Sequence, residues 1–232
     1  MMPTPAPDDF VTTALASLAA TLPTARLWAA VAPQEPAGQG AGADHIATQF
    51  AQLQAAEGFI APDTASATRL RRLGWRGPLA LLPGVADARG LEACSRLGLW
   101  HTIHCNEQID RLAAHKTQVP HRVFLKMNTG MNRLGFVPER FRAAWIRLNA
   151  LPQVEEISLM QHFPDADGPK GITAQLQAFD AVTHDLAGER TLSNSAAILR
   201  HGTALDGRSD WVRPGIVLYG SAPDFPAHSA AD

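Results

Sequence analysis

Short apolar runs alternate along the chain with longer stretches in which apolar residues recur at helical spacing. The short runs read as strands: RLWAAVA (26–32), GFIA (58–61), PLALL (78–82), GLWHTI (98–103), RVFLKM (122–127), VEEISLMQ (154–161), RTLS (190–193) and DWVR (210–213). Amphipathic segments lie between them. HIATQFAQLQAA carries apolar residues at Ile46, Phe50 and Leu53, and ADARGLEACSRLG ends on Gly98, a helix stop. PERFRAAWIRLNAL has Pro138 in its first turn and sets Phe141, Trp145 and Leu148 on one face. Strand–helix alternation predicts a parallel sheet. Eight such units in 232 residues fit an α/β fold of one domain, a closed (β/α)8 barrel of the TIM type. An open, doubly wound sheet is the alternative. The expected division is a leading segment with a helix over 1–24, the barrel over 25–223 and a tail over 224–232.

In a barrel the chemistry sits at the C-terminal ends of the strands. Unusual polar clusters fall at four successive strand ends: Thr129–Arg133 after the fifth, His162 after the sixth, Asn194 and Ser195 after the seventh, and Arg213–Gly215 after the eighth. Asn194 and Ser195 stand where a strand becomes a helix. They read either as an N-cap or as an anion site built on free helix N–H groups and a hydroxyl. Gly215, which lets backbone approach a ligand, favours the anion site. Arg213 reads as one half of a salt bridge to an aspartate, or as a donor to a ligand ring nitrogen that its high pKa keeps unprotonated. His162 is an interior histidine or a group facing a cofactor. Arg133 is a surface arginine or a two-pronged clamp for a carboxylate. His101 and His104 point to opposite faces of an extended segment, so no metal site is expected there.

Composition narrows the partners. A net charge of −2 with 18% charged residues gives no basic face for nucleic acid or an anionic membrane. Two cysteines, Cys94 and Cys105, suit reduced thiols and a cytoplasmic setting rather than a disulfide framework. The start MMPTPAPDDF lacks a basic flank before an apolar run, so no signal peptide is expected, and no apolar run is long enough to span a bilayer.

LKMNTGMNRLGF, LMQHFPDAD, QLQAFD, LSNSAAILRH and DWVRPGIVLYGSAP, in this order, resemble alanine racemase, and RLRRLGWRGPLALLPG fits its third barrel unit. The resemblance spans about 20–223, is dense over 122–223 and thin over 29–50. It implies a pyridoxal-phosphate enzyme that interconverts L- and D-alanine, a reaction tied to cell-wall biosynthesis. It also implies a (β/α)8 barrel followed by a C-terminal β-domain, and a dimer. By resemblance, Asn194 and Ser195 with the backbone of Gly215 and Ile216 would hold the cofactor phosphate. Arg213 would face the pyridine nitrogen, and His162 would support the ring and Arg213. Arg133, with Met131 beside it, would stand near the substrate carboxylate. Lys126 matches a lysine that is carbamylated in some members and braces that arginine.

The departures matter as much. The family's first strand ends in a motif like V-V-K-A-N-A-Y-G-H-G, whose lysine forms the Schiff base and serves as one proton-transfer base. Here the stretch is WAAVAPQEPAGQG: Ala32 takes the lysine position and no tyrosine lies between Pro33 and Gly40. The second base is a tyrosine of the C-terminal domain, and Tyr219, this chain's only tyrosine, matches the barrel's own LYG. Lys126 is four strands away from the missing lysine. The expectation is a racemase-family barrel with impaired or no racemisation. The alternatives are a non-catalytic barrel that binds pyridoxal phosphate or another phosphate ligand, like the cofactor-homeostasis proteins, and a regulatory partner of a full-length racemase. Small-molecule amino acid and cofactor are the expected ligands, with a homodimer possible.

Overall fold

The computed structural model describes residues 7–31, 47, 50, 51, 53, 56–117 and 119–219. A helix α1 (Pro7–Thr21) leads into β1 (Arg26–Ala30) and β2 (Gly58–Ala61). Then follow α2 (Thr64–Arg72), β3 (Leu79–Leu81), α3 (Ala88–Leu97), β4 (Trp100–Ile103), α4 (Asn106–Ala114) and β5 (His121–Lys126). The chain continues through α5 (Pro138–Asn149), β6 (Val154–Met160), α6 (Thr173–Thr183), β7 (Arg190–Ser193), α7 (Ser195–Leu205) and β8 (Trp211–Val212) to a 3-10 turn, Ile216–Tyr219.

All eight strands are parallel, and β1 pairs with both β2 and β8, so the sheet closes into a barrel. Closure excludes the open sheet. The helix ends follow local chemistry. Asp63 and Asp87 cap α2 and α3 through their carboxylates, and Pro138 opens α5, where a missing N–H costs nothing. Gly98 ends α3 with φ 59, a left-handed geometry suited to glycine. It therefore belongs to the helix stop and not to β4, which starts two residues later than the apolar run suggested. The other predicted strands match within two residues at each described end. Most of the predicted helix over 45–56 and the strand end at Ala32 lie outside the described residues.

Two apolar layers hold the barrel. Leucines, valines and phenylalanines on the outward strand faces pack under the helices. Inside, Trp28, Ile60, Ala80, Trp100, Phe124, Met160 and Trp211 form a plug. The Trp28 ring lies 5.5 Å from Trp100, 5.9 Å from Phe124 and 4.4 Å from Trp211. Rings from β1, β4, β5 and β8 thus meet at the axis, leaving a filled core and not a pore. Below the plug, at the N-terminal ends of the strands, Arg26 stacks on Trp211 at 4.1 Å and pairs with Glu189. Trp211 Nε1 donates to the same glutamate at 2.7 Å. Arg122 stacks on Trp100 and pairs with Glu155 at 3.2 Å.

Candidate functional site

Above the plug the strand ends carry polar groups. β7 stops at Ser193 because Asn194 takes an extended backbone and starts α7 as its cap: Oδ1 accepts from the Ala197 N–H at 3.0 Å. Its Nδ2 donates to the Phe163 carbonyl at 2.9 Å and to His162 Nε2 at 3.3 Å. Both heads of the Asn194 amide are therefore engaged, and the residue shapes the site through α7 and His162. Ser195 Oγ accepts the Gly215 N–H at 3.0 Å, joining the first turn of α7 to the loop after β8. The Ser195 and Ala196 N–H groups open the helix and have no intrahelical acceptor.

A cavity of about 300 Å³ lies here, and His162, Asn194, Ser195, Arg213, Gly215 and Ile216 all contribute to its lining. Three strand ends thus bring together six residues that lie between positions 162 and 216 of the sequence. Arg213 is buried and donates to Thr191 Oγ1 and, at 2.7 Å, to the Gln161 carbonyl. No carboxylate pairs with it among the described residues, so the salt-bridge reading of Arg213 does not hold. Burial lowers its pKa to about 10, which leaves it cationic at neutral pH. Thr191 and Gln161, which position it, carried no signal in the sequence: both read as ordinary strand residues.

The Thr129–Arg133 segment forms a closed loop after β5. The Phe136 N–H donates to the Lys126 carbonyl at 2.9 Å and the Asn128 N–H to the Phe136 carbonyl at 2.8 Å. Asn128 Oδ1 accepts from the N–H groups of Gly130 and Asn132 at 3.1 and 3.0 Å. Gly135, with φ 123, passes so close to the strand that a Cβ would sit 2.7 Å from the Asn128 nitrogen. Thr129 Oγ1 ties the loop to Gln161 Oε1 at 2.7 Å. Met131 is half-buried and Arg133 exposed on this rim.

Lys126, the last residue of β5, is buried at 8% exposure with no ion pair among the described residues. Burial first, then the Arg213 and Arg133 charges, bring its pKa down to about 8. The same physics acts on His162: burial, followed by Arg213, Lys126 and Arg133, lowers it to about 3 and keeps it neutral. The neutral ring can then accept from Asn194 at Nε2. Buried Ser193 Oγ and Gln161 Nε2 find no partner among the described residues. The cavity lining holds one cation, buried Arg213, and one carboxylate, Asp167, with spare hydrogen-bonding capacity and free helix N–H groups beside them, a chemistry compatible with an anionic ligand.

The two histidines of HTIHC part company. His101 turns outward from β4 and its Nε2 lies 3.0 Å from His121 Nδ1. His104 approaches Gln108 Nε2 at 3.3 Å. His121 Nε2 in turn lies 3.0 Å from Ser95 Oγ. Burial lowers His101 to about 3 and His121 to about 4.

A parallel eight-stranded barrel with free helix N–H groups and a buried arginine at the ends of β6 to β8 is an architecture shared by many phosphate-binding proteins. The sequence pattern described as "Alanine racemase, N-terminal domain" matches residues 16–223, and the chain belongs to that family. The chain is 73% identical over 218 residues to the alanine racemase of Polaromonas naphthalenivorans (strain CJ2), covering 94% of this chain and 58% of that protein. It is 64% identical to the alanine racemase of Acidovorax sp. (strain JS42), covering 90% and 56%. The biosynthetic alanine racemase of Pseudomonas aeruginosa superposes with a TM-score of 0.83 at 33% identity, over 96% of this chain and 60% of that one. The histidine racemase of Leuconostoc mesenteroides shares the fold, with a TM-score of 0.81 at 23% identity over 96% and 60%. The chain thus spans a little over half the length of the curated relatives it matches.

Proposed function

We propose that the cavity above β6 to β8 is the cofactor half of a racemase-family site. It holds pyridoxal phosphate by the phosphate group, in a chain whose own racemisation of alanine is impaired. The observation that carries the reading is the Ser195–Gly215 bond beside buried Arg213, which sets a hydroxyl, free helix N–H groups and a cation around one cavity. A phosphate there would accept from the Ser195 and Ala196 N–H groups in the favourable field of the helix start. Rotation of the Ser195 hydroxyl leaves its proton for the ligand while its oxygen still accepts from Gly215. Arg213, held by Thr191 and Gln161, offers its remaining N–H groups to a ring nitrogen and, staying charged, leaves that nitrogen unprotonated. Neutral His162 gives an uncharged wall.

When bound, pyridoxal phosphate supplies the electron sink that stabilises a carbanion at the amino acid's Cα. The residues around it must still move a proton on each face of that carbon. Ala32 stands where the family has its lysine, and a methyl group neither takes a proton nor anchors a carbonyl. That is the reason for placing turnover low. Arg133, Met131 and Lys126 stand on the substrate side, with Arg133 the clamp for a carboxylate.

That no carboxylate pairs with Arg213 or Lys126 among the described residues also favours a second reading, a non-catalytic barrel that carries or senses a phosphate ligand. Binding and turnover separate the two. Equilibrium dialysis should show pyridoxal phosphate bound at least tenfold more tightly than pyridoxal, and Ser195→Ala should weaken it about tenfold. Equal binding of the two compounds would sink the phosphate cradle. Alanine racemisation at the rate of the Polaromonas relative would sink the impairment. Pairing with a second copy or a full-length racemase is the partner reading, checked by size-exclusion chromatography with and without such a racemase.

A further inference from the structure

Gln161 stands where the two sides of the mouth meet. It follows β6 directly and is fully buried. Its backbone holds the cofactor side. The Gln161 N–H donates to the Thr191 carbonyl at 3.3 Å, and the Gln161 carbonyl accepts from Arg213 Nη2 at 2.7 Å. Its side chain holds the other side: Oε1 accepts from Thr129 Oγ1 at 2.7 Å. One residue thus bonds to β7, to Arg213 after β8 and to the loop after β5.

That loop has a well-formed interior and little to aim it. Asn128 Oδ1 accepts from the N–H groups of Gly130 and Asn132, and Asn128 Nδ2 donates to Asn132 Oδ1 at 3.1 Å. Asn132 takes φ 56, a left-handed geometry that asparagine tolerates. These bonds shape the turn but join only residues close in sequence. The bonds between Phe136 and both Lys126 and Asn128 return the loop to its own strand. Among the described residues, Thr129 to Gln161 is the one hydrogen bond from 128–134 to another strand end. A surface loop with a single outer tie is free to swing once that tie is cut. Arg133 rides on this loop.

We propose that Gln161 is a positioning residue of the site: its side chain aims the loop that carries Arg133, while its main chain aims Arg213. The inference rests on the reading of Arg133 as a carboxylate clamp and does not need the phosphate cradle. The division of labour follows from the chemistry of the residue. A substitution removes the amide and keeps the carbonyl, so Thr129 loses its acceptor while Arg213 keeps its own. The other head of the amide, Nε2, is buried with no partner among the described residues, so its removal breaks no second bond. Gln161→Met, of similar length and without hydrogen-bonding groups of note, gives up one hydrogen bond and one unanswered buried donor. That exchange is close to neutral for the fold.

The probe is acetate, a carboxylate with neither phosphate nor amine. The full chain is titrated with it while the amide signals of Met131 to Leu134 are followed by nuclear magnetic resonance. Hydrogen exchange of the Gly130 and Asn132 amides is measured in parallel. Gln161→Met and Thr129→Val should each weaken acetate binding and speed that exchange about fivefold, the worth of one neutral hydrogen bond. The double variant should go no further, because both changes cut the same bond. Thr129→Ser keeps the hydroxyl donor and should stay within about twofold of the unaltered chain on both readouts. That rescue separates the bond from the packing of the side chain. Pyridoxal phosphate binding to Gln161→Met, measured by dialysis, should also stay within about twofold, since the main-chain hold on Arg213 survives. Unchanged acetate binding in Gln161→Met, a further independent loss in the double variant, or a Thr129→Ser as weak as Thr129→Val would overturn the proposal. Acetate that shifts none of these amides in the unaltered chain would overturn the clamp reading itself, and the positioning role with it.

Discussion

The two ends of this barrel treat charge in opposite ways. At the floor, Arg26 and Arg122 each stack on a tryptophan and pair with a glutamate, and the Leu27 N–H donates to Glu57 at 2.8 Å. At the mouth, Arg213 and Lys126 are more deeply buried than those floor arginines, and no carboxylate meets them among the described residues. Floor pairs are half-exposed and screened, so each contributes little beyond register. An uncompensated buried cation destabilises the fold. A structure keeps such a group where a ligand can answer it. The floor is the part whose charges are answered within the barrel, and the mouth is the part whose buried cations are not, among the described residues.

The plug should give the largest effect. Trp211→Ala removes a ring that packs on Trp28 and donates to Glu189, and it should cost about 3–5 kcal/mol in a urea titration. A cost under about 1 kcal/mol would mean that the plug is not the core of the closure. Acid comes next. His101, His121 and His162 are held neutral with pKa values of about 3, 4 and 3 in the fold. Unfolded, each protonates near pH 6.5, so below that pH the unfolded chain binds more protons. Stability is therefore complete above about pH 6.5 and falls as the pH drops toward 4, by up to a few kcal/mol per buried histidine. Melting temperatures measured from pH 7 down to pH 4 check this, and a flat profile would contradict the buried, neutral assignment.

Lys126→Met sharpens the contrast further. Replacing an uncompensated buried cation by an apolar side chain of similar length should stabilise the protein by about 1–2 kcal/mol in a urea titration. Destabilisation would show that Lys126 is paired after all and that the mouth resembles the floor. The smallest effect should come from Arg122→Ala at the floor, about 0.5 kcal/mol and weaker still at high salt. A loss as large as that from Trp211→Ala would erase the distinction between plug and surface pairs.

Much of the architecture was legible in the order of residues. Apolar runs marked the strands to within two residues wherever the ends are described, because strand periodicity and turn chemistry are local properties. Asn194 announced a helix start, and Gly98 a helix stop. The extra residues assigned to β4 show the limit of that method: an apolar run does not reveal where a left-handed glycine has already ended a helix. Site residues were legible as types, since a polar group at a strand end is unusual. Their bonds were not. Asn194 read either as a helix cap or as part of an anion site, and the structure engages its amide with Ala197, Phe163 and His162. Gln161 was unmarked, yet it links Thr129 to Arg213.

By itself the sequence determined the alternation of strands and helices, the family, the caps and the identity of the polar groups at strands five to eight. It also set Ala30 at the end of the first strand and Lys126 at the end of the fifth. Only the closed barrel decided what those two positions mean to each other. Counting strands measures distance along the wall, where β1 and β5 are as far apart as the fold permits. Closure converts that separation into opposition across a narrow axis, because inward side chains of opposite strands must fill the same interior. Trp28 touching Phe124 is the contact that places Lys126 across from β1.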